Sequence, residues 1–544
     1  MPTRRLLLVL PAALLAACTP DDAATVDDAR AEADDAADAI PDRVWDYDYD
    51  PDTTPEALVE DPTSCAEAAE SHTYVGCDFW PTVLPNVVGK HFDYVVVVSN
   101  AGAVPAAVTI ERDGAPVAEG EVPPLGLVKF FLPWVDELKH WTGMCDTDLS
   151  PTGPFVSARV PGGAYHLTSS VPVTVFQFNP LEYGPEGGPD GRDWGPCEAC
   201  LFGCHSYTND ASLLLPSTAL TGNYRITAPA GQNTEDVRQP GYFVVTGLHD
   251  GTTVRAQLGA DAEVTAGADI PAAGPGGIFE FGLGRGEAVV VVGTNTTDLS
   301  GTVLNADRPI QVLSGAPCIY MPDEYGACDH LEESVYPAET LGRRYVVTVP
   351  TNPRGVPIGH VVRLYGNVDG TRLEYPATTP DGAPARLQAG EVRDLGIVRQ
   401  DFVVTGDQPF AVTSFQLGGG LADPGHFTDS RGDPAQSNMQ AVEQYRPRYV
   451  FLAPDDYDFS FADIVLPDGA VVLLDGNVPR EAPTPIGDGF SVLRVPLERY
   501  YGGAHVLEAD LPVGLQVMGY GFATSYQVPG GLNLLRIAEP PVIF

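Results

Sequence analysis

Gly301-Thr-Val-Leu-Asn-Ala-Asp-Arg-Pro-Ile-Gln-Val-Leu-Ser-Gly315 is the stretch from which the rest of the chain can be read, because versions of it recur three more times. An apolar pair leads into a polar turn and a Pro, after which Ile310 and Val312 fall on alternate positions, the period of a half-buried strand. The other copies are Tyr165-His-Leu-Thr-Ser-Ser-Val-Pro-Val-Thr-Val-Phe176, Phe402-Val-Val-Thr-Gly-Asp-Gln-Pro-Phe-Ala-Val-Thr413 and His505-Val-Leu-Glu-Ala-Asp-Leu-Pro-Val-Gly-Leu-Gln516. Pro172, Pro309, Pro409 and Pro512 therefore mark one position in four units. A Pro cannot donate to a ladder, so it suits the first residue of a strand after a turn or bulge.

Two further markers run in the same order. Asp113-Gly114, Asp250-Gly251, Asp369-Gly370 and Asp468-Gly469 sit between apolar runs and predict hairpins, since both residues tolerate positive φ. Upstream of each, an Asp is followed at about sixteen residues by a Tyr that opens a strand: Asp78/Tyr94, Asp210/Tyr224, Asp329/Tyr345 and Asp433/Tyr449. The expected architecture is all-β, a tandem repeat of four antiparallel modules at about 80–181, 210–316, 329–418 and 433–530. Sandwich-like modules of five to seven short strands are the first expectation and a β-propeller is the alternative.

At the start, Met1 to Cys18 carries two arginines, an apolar run from Leu6 to Leu15 and Leu15-Ala-Ala-Cys18, the form of a lipoprotein signal peptide (1–18) whose Cys18 is acylated. The run is too short to span a bilayer, so the expectation is a lipid-anchored protein of the bacterial outer membrane or cell surface. Residues 19–62 hold sixteen acidic residues and two arginines, which predicts a disordered acidic tether. Beyond it the expected divisions are 63–181 (module 1 with a Cys-containing lead-in), 182–316 (Cys-rich connector and module 2), 317–418 (disulfide loop and module 3) and 419–544 (connector, module 4 and tail). A net charge of −43 argues against nucleic acid and against electrostatic docking to anionic lipid.

Once Cys18 is set aside, eight cysteines remain: Cys65, Cys77, Cys145, Cys197, Cys200, Cys204, Cys318 and Cys328. An even number in an exported chain predicts disulfides, and local spacing pairs Cys65 with Cys77 and Cys318 with Cys328. Cys145 then pairs with one of Cys197, Cys200 and Cys204, and the other two pair together. All eight are expected in or beside the segments between modules, off the repeated strands. Cys197-Glu-Ala-Cys200 with Cys204-His205 lacks a fourth soft zinc ligand, and Cys200-Leu-Phe-Gly-Cys204-His205 has one residue more than the C-x-x-C-H of haem attachment. No metal or other cofactor is expected.

No G-x-S-x-G elbow, H-E-x-x-H helix or phosphate-cradling Gly loop is present, so no catalytic residue is assigned. Asp329-His330 with Glu332-Glu333 is the densest polar cluster, and its match to Asp210 and Asp433 favours a structural role at the turn entering each module. Arg431-Gly432-Asp433 spells an integrin-type tripeptide, but Asp433 already belongs to the repeat. The intervals Glu182 to His205, Cys318 to Cys328 and Gly418 to Ser430 do not repeat, and the aromatics in and beside them are the candidate binding residues: Trp194, Phe202, Tyr207, Tyr320 and Tyr325, together with Tyr183.

Cys328-Asp-His-Leu-Glu-Glu, Gly432-Asp-Pro-Ala-Gln-Ser with Glu443-Gln-Tyr-Arg, and Asn209-Asp-Ala-Ser-Leu-Leu-Leu-Pro, together with the Pro-marked strands, resemble the IgGFc-binding protein N-terminal domain family over roughly residues 70 to 540. That resemblance implies a non-enzymatic, adhesive β-protein that takes an extracellular protein or glycan on loops of a rigid scaffold. It brings no catalytic residues and does not imply that this chain binds antibody. A carbohydrate-active enzyme using paired carboxylates and a purely structural envelope lipoprotein are the alternative functions.

Overall fold

The computed structural model describes residues 61–100, 102–141, 155–181, 206–234, 237–322, 328–426, 430–497 and 503–543. The repeating unit is clearest in the second repeat, whose strands are β1 (Asn223–Arg225), β2 (Tyr242–Gly247), β3 (Thr252–Gln257), β4 (Ile278–Leu283), β5 (Ala288–Val292), β6 (Val303–Ala306), β7 (Ile310–Ile319) and β8 (Asp329–Ser334). They make two antiparallel sheets, ordered β4-β3-β6-β1 and β8-β7-β2-β5. Tyr224, Val254, Phe281 and Leu304 of the first sheet meet Phe243, Val245, Val291 and Val312 of the second in one buried core, so the unit is a β-sandwich.

The same β1 to β8 recur in the other repeats. In the first they are Gly76–Phe79, Tyr94–Asn100, Ala106–Arg112, Ala115–Val122, Leu127–Leu132, a single strand Tyr165–Phe178 serving as both β6 and β7, and Ala211–Leu214. In the third they are Arg344–Val347, His360–Gly366, Thr371–Glu374, Arg386–Leu387, Val392–Val398, Phe402–Gly406, Phe410–Gln416 and Gln436–Asn438. The fourth has Arg446–Leu452, Phe459–Pro467, Val472–Leu474, Thr484–Gly487, Phe490–Leu497, the joined Ala504–Gly521, and Thr524–Pro529, with Thr484–Gly487 on the edge of β5 rather than beside β3.

The marked Pro lies where the chain turns from one sheet into the other. In the first repeat the continuous strand pairs Leu167 with Ile110 of β3 and Val175 with Val98 of β2, so β2–β3 and β6–β7 round the corner together. Two residues before the Pro, a side-chain oxygen takes the N–H of a residue at the start of β3. The pairs are Ser170 with Ala107 (2.9 Å), Asp307 with Thr253 (2.8 Å), Asp407 with Arg372 (2.8 Å) and Asp510 with Val471 (2.7 Å). From β1 the repeated Tyr closes the other side. Tyr224, Tyr345 and Tyr449 donate their hydroxyls to the carbonyl just after the Pro, at Ile310 (2.6 Å), Phe410 (2.6 Å) and Val513 (2.5 Å). The Tyr and the Pro are thus two sides of one contact.

The expected hairpins are corrected by this geometry. Asp250-Gly251, Asp369-Gly370 and Asp468-Gly469 join β2 to β3, which lie in different sheets, and only the glycines have positive φ (69°, 73° and 89°). A corner uses one such residue as readily as a hairpin uses two. Asp113-Gly114 does close a two-residue hairpin, with φ of 50° and 72°, but between β3 and β4, so it is not the fourth copy. Nor is Tyr94 the fourth corner Tyr, since it lies on β2 and donates to Gln177 Oε1 at 2.9 Å. The segments opened by Asp210, Asp329 and Asp433 supply β8 of the preceding sandwich rather than the entry to the next.

The four β8 strands lie side by side in chain order, and the fourth returns to the first. Shared cores seal the junctions. Tyr242 and Val244 of the second sandwich pack with Val96 and Val175 of the first. Leu331 packs with Val361 and Phe415, Val403 packs with Val465 and Val492, and Phe451 and Val517 of the fourth sandwich join Val97 and Phe176 of the first. Four sandwiches therefore close around one axis as propeller blades do. This explains why Tyr242–Gly247 is buried at every position: alternate side chains face its own core and the neighbouring sandwich.

The C-terminal segment continues from the last β8 across the corner end of the ring. Leu534 N donates to His72 O (2.8 Å), Leu535 N to Gln444 Oε1 (3.1 Å), Ile537 N to Glu339 O (2.8 Å) and Ile543 N to Asn305 Oδ1 (3.0 Å). Asp61 enters at the same end, bridged to Arg446 and Arg448. Among the described residues two disulfides hold neighbouring pieces, Cys65–Cys77 (Cα–Cα 5.6 Å) and Cys318–Cys328 (5.0 Å). Cys77 and Cys318 lie on strands rather than between modules. Cys18, Cys145, Cys197, Cys200 and Cys204 lie outside the described residues.

Candidate functional site

On the axis, at the starts of the β8 strands, Asp210 is fully buried. Its Oδ1 accepts from Ala211 N (2.9 Å) and Gln527 N (3.4 Å), and its Oδ2 from Gln436 N (2.9 Å) and Glu332 N (3.2 Å). One carboxylate thus takes an N–H from each of the four sandwiches. Around it, Asp329 accepts from His330 N (2.8 Å) and Thr524 Oγ1 (3.0 Å), while Asp433 accepts from Gly419 N (3.1 Å). Glu332 is held by Asn179 and lies 3.2 Å from His330 Nε2.

Burial pushes the acids Asp210, Asp329, Asp433, Glu332 and Glu333 well above the usual carboxyl range, and Asp329 is raised further by Asp433 and Asp210 beside it. Burial also lowers His330 to about 3, with Lys139 adding to the effect. Among the described residues no three His, Cys, Asp or Glu side chains are placed to hold a metal ion. The cluster knits the ring rather than facing a ligand. Its fourth position is Thr524 and not Asp78, which lies on β1 and pairs with His166 Nε2 at 2.7 Å.

Directly above this cluster, the β7–β8 and β1–β2 connections of the sandwiches gather at one end. Gly418 N donates to Met321 O (2.7 Å), Gly432 N to Gly521 O (3.0 Å) and Asn209 N to Thr524 Oγ1 (3.1 Å), so connections from all four sandwiches touch. Here Tyr207, from the first, lies 5.9 Å from the ring of Phe522, from the fourth. The Arg431 guanidinium of the third sandwich sits 5.5 Å over that same ring and pairs with Asp458. Arg354 grips Asp423 with two bonds of 2.7 Å, and Asp423 also accepts from Arg431 N (3.1 Å). These contacts hold Asp423 below the usual carboxylate range, with Arg354 the main cause, against the opposing effect of burial. Val356 and Phe459 stand exposed beside the array, at 50% and 41%.

Of the aromatics singled out by sequence, Tyr207 belongs to this face and is half-buried. Tyr320 is half-buried where Gln232 brackets its backbone, with N to Oε1 and Nε2 to O both 2.9 Å. Trp194, Phe202, Tyr325 and Tyr183 lie outside the described residues. The Arg431-Gly432-Asp433 tripeptide is not displayed, because Asp433 is 1% exposed. Arg431 enters the sequence reading only through that tripeptide, and Phe522, Asp458 and Phe459 do not enter it. Phe522 lies on the short β7–β8 turn of the fourth sandwich and Asp458 just before its β2, where each reads as an ordinary turn residue, and only the ring brings them to Tyr207.

A closed set of β-sandwiches presenting non-repeating connections at one end defines a loop-bearing β scaffold. The chain belongs to the IgGFc binding protein family, whose model matches residues 210–519. It is also 26% identical over 190 residues to the IgGFc-binding protein of Homo sapiens, an overlap of 35% of this chain and 3% of that protein. The family match takes in the second and third sandwiches, most of the fourth and the β8 strand of the first.

Proposed function

We propose that the protein is a non-enzymatic binding module that takes an extracellular protein or glycan on the face built by the β7–β8 and β1–β2 connections. The observation carrying this reading is the Tyr207–Phe522–Arg431–Asp458 array, in which aromatic rings and a paired arginine from three sandwiches are held in place beside exposed Val356 and Phe459. Membership of a family named for binding, and a human relative named for binding IgG Fc, support it. We further propose that acylation of Cys18 anchors the protein at the bacterial outer membrane or cell surface.

The test is retention of the labelled protein on arrays of glycans, mucins and immunoglobulin Fc, with a parallel assay for turnover. Retention that the Arg431→Ala/Phe522→Ala variant loses by about tenfold or more, with its strand content intact, is the expected result. Equal retention by the variant, or product formation, overturns the proposal. Replacing Cys18 by Ala should move the protein out of the membrane fraction.

A further inference from the structure

The four corners serve as internal controls for one another, and the first one differs. In the second to fourth sandwiches the β2–β3 corner carries Asp250-Gly251, Asp369-Gly370 or Asp468-Gly469, and the β4–β5 turn beside it is polar, as in Arg285-Gly286-Glu287 and Gln388-Ala-Gly-Glu391. In the first sandwich these places hold Ala103-Val104-Pro105 and Pro123-Pro124-Leu125, all exposed. Asn100 Nδ2 joins them by donating to Val104 O (2.8 Å) and Val122 O (3.1 Å), so the two turns form one apolar knuckle. Val104 is 55% and Leu125 49% exposed.

Beside the knuckle the charge pattern also departs from the repeat. On the second sandwich Glu280 of β4 faces Arg255 of β3 and pairs with it at 3.7 Å. The corresponding cross-strand pair in the first sandwich is Glu119 with Thr109, and Glu121 faces Ala107. Glu119 and Glu121 are exposed, and among the described residues neither has an ion-pair partner. Of the nearby cations, Lys129 is taken by Asp455 and Asp456, and Arg112 is bonded to Gly162 O and lies over Tyr165.

We infer that this knuckle and the Glu119/Glu121 strand form a second docking surface, whose partner is a basic protein segment that seats aliphatic side chains against Val104 and Leu125. An apolar patch rimmed by unanswered charge is the pattern of an interface, and the sign of the rim selects the partner. A second copy of the chain is disfavoured by its net charge of −43. The surface lies outside the matched residues 210–519 and at the corner end of the ring, away from the loop face.

The test measures binding of the full chain to a synthetic peptide of alternating Lys and Leu, and to its Glu-for-Lys counterpart. The basic peptide should bind with an affinity that falls as salt rises. The Val104→Asp/Leu125→Asp variant should weaken it by about tenfold, and Glu119→Gln/Glu121→Gln should flatten the salt dependence. Val478→Asp adds one charge at another exposed apolar residue, 62% exposed, and should leave binding unchanged. The inference is overturned by equal loss in Val478→Asp, by equal affinity for the acidic peptide, by no binding of the basic one, or by self-association of the chain that Val104→Asp abolishes.

Discussion

Tyr345 secures its corner through one oxygen, which donates to Phe410 O and accepts from Gly342 N at 3.3 Å in a buried setting. Removing the hydroxyl leaves that carbonyl and N–H without it, so Tyr345→Phe should lower stability by about 1–3 kcal/mol. Tyr224→Phe should cost a similar amount, and because the two corners belong to different sandwiches the double variant should show the sum in denaturant titrations. The buried acids predict an unusual pH dependence, and Asp463 offers the cleanest case. Burial raises it to about 6, against the pull of Arg494 and the two bonds from Thr351. Its folded pKa lies above the unfolded one, so its contribution is fully present below about pH 4 and is lost as pH rises through 6. Asp463→Asn should therefore gain stability relative to the parent over that window, by about 3 kcal/mol, in thermal melts at stepped pH. A constant difference would refute the assignment. His360, lowered by burial to about 3, works the opposite way, losing its contribution as pH falls below about 6.5.

Strands and corners were the most legible elements. Pro309, Asp307 and Tyr224 recur because a corner needs a position without an N–H, an acceptor for the start of β3 and a clamp from β1, so the chemistry of the corner is written locally. Pairing across the ring is not written locally. The Ala211–Leu214 strand stands much closer in sequence to β1 of the second sandwich than to β7 of the first, yet the connection through 206 returns it to β7. Asp78 imitates the axial Asp because a carboxylate within β1 and one at the start of β8 read alike in sequence. Of the loop-face array the sequence offers Tyr207 as a binding candidate and Arg431 only as part of a tripeptide, since Phe522 gains meaning from partners about 90 and about 315 residues away. The glycine reading can be tested at this scale. A Cβ on Gly370 meets nothing within 4 Å, so Gly370→Ala should cost only the positive-φ strain, about 1 kcal/mol. On Gly222 it would lie 2.3 Å from Ala306 O, so that substitution should cost substantially more in the same equilibrium unfolding experiment.

Across the whole molecule, closure rests on the shared cores, on Asp210 and on the C-terminal segment. Asp210→Asn keeps one acceptor oxygen but turns an NH2 donor toward two of the four N–H groups that Asp210 takes, and should destabilise the protein more than any single corner change, read by its melting temperature. Deleting residues after Pro529 removes the bonds to His72, Gln444, Glu339 and Asn305, and should raise amide exchange at 338–340 and 442–444 while the Val95–Val98 strand stays protected. Unchanged exchange there would show that the segment merely rests on the ring. The chain enters at Asp61 on the end of the β8 strands opposite the loop face, and this has a mechanical consequence. Tension applied between the loop face and Asp61 would run along the strands, at right angles to their hydrogen bonds. The rungs would then be sheared together instead of unzipped in turn, so a module gripped by its loops should resist pulling better than one gripped by a sheet edge.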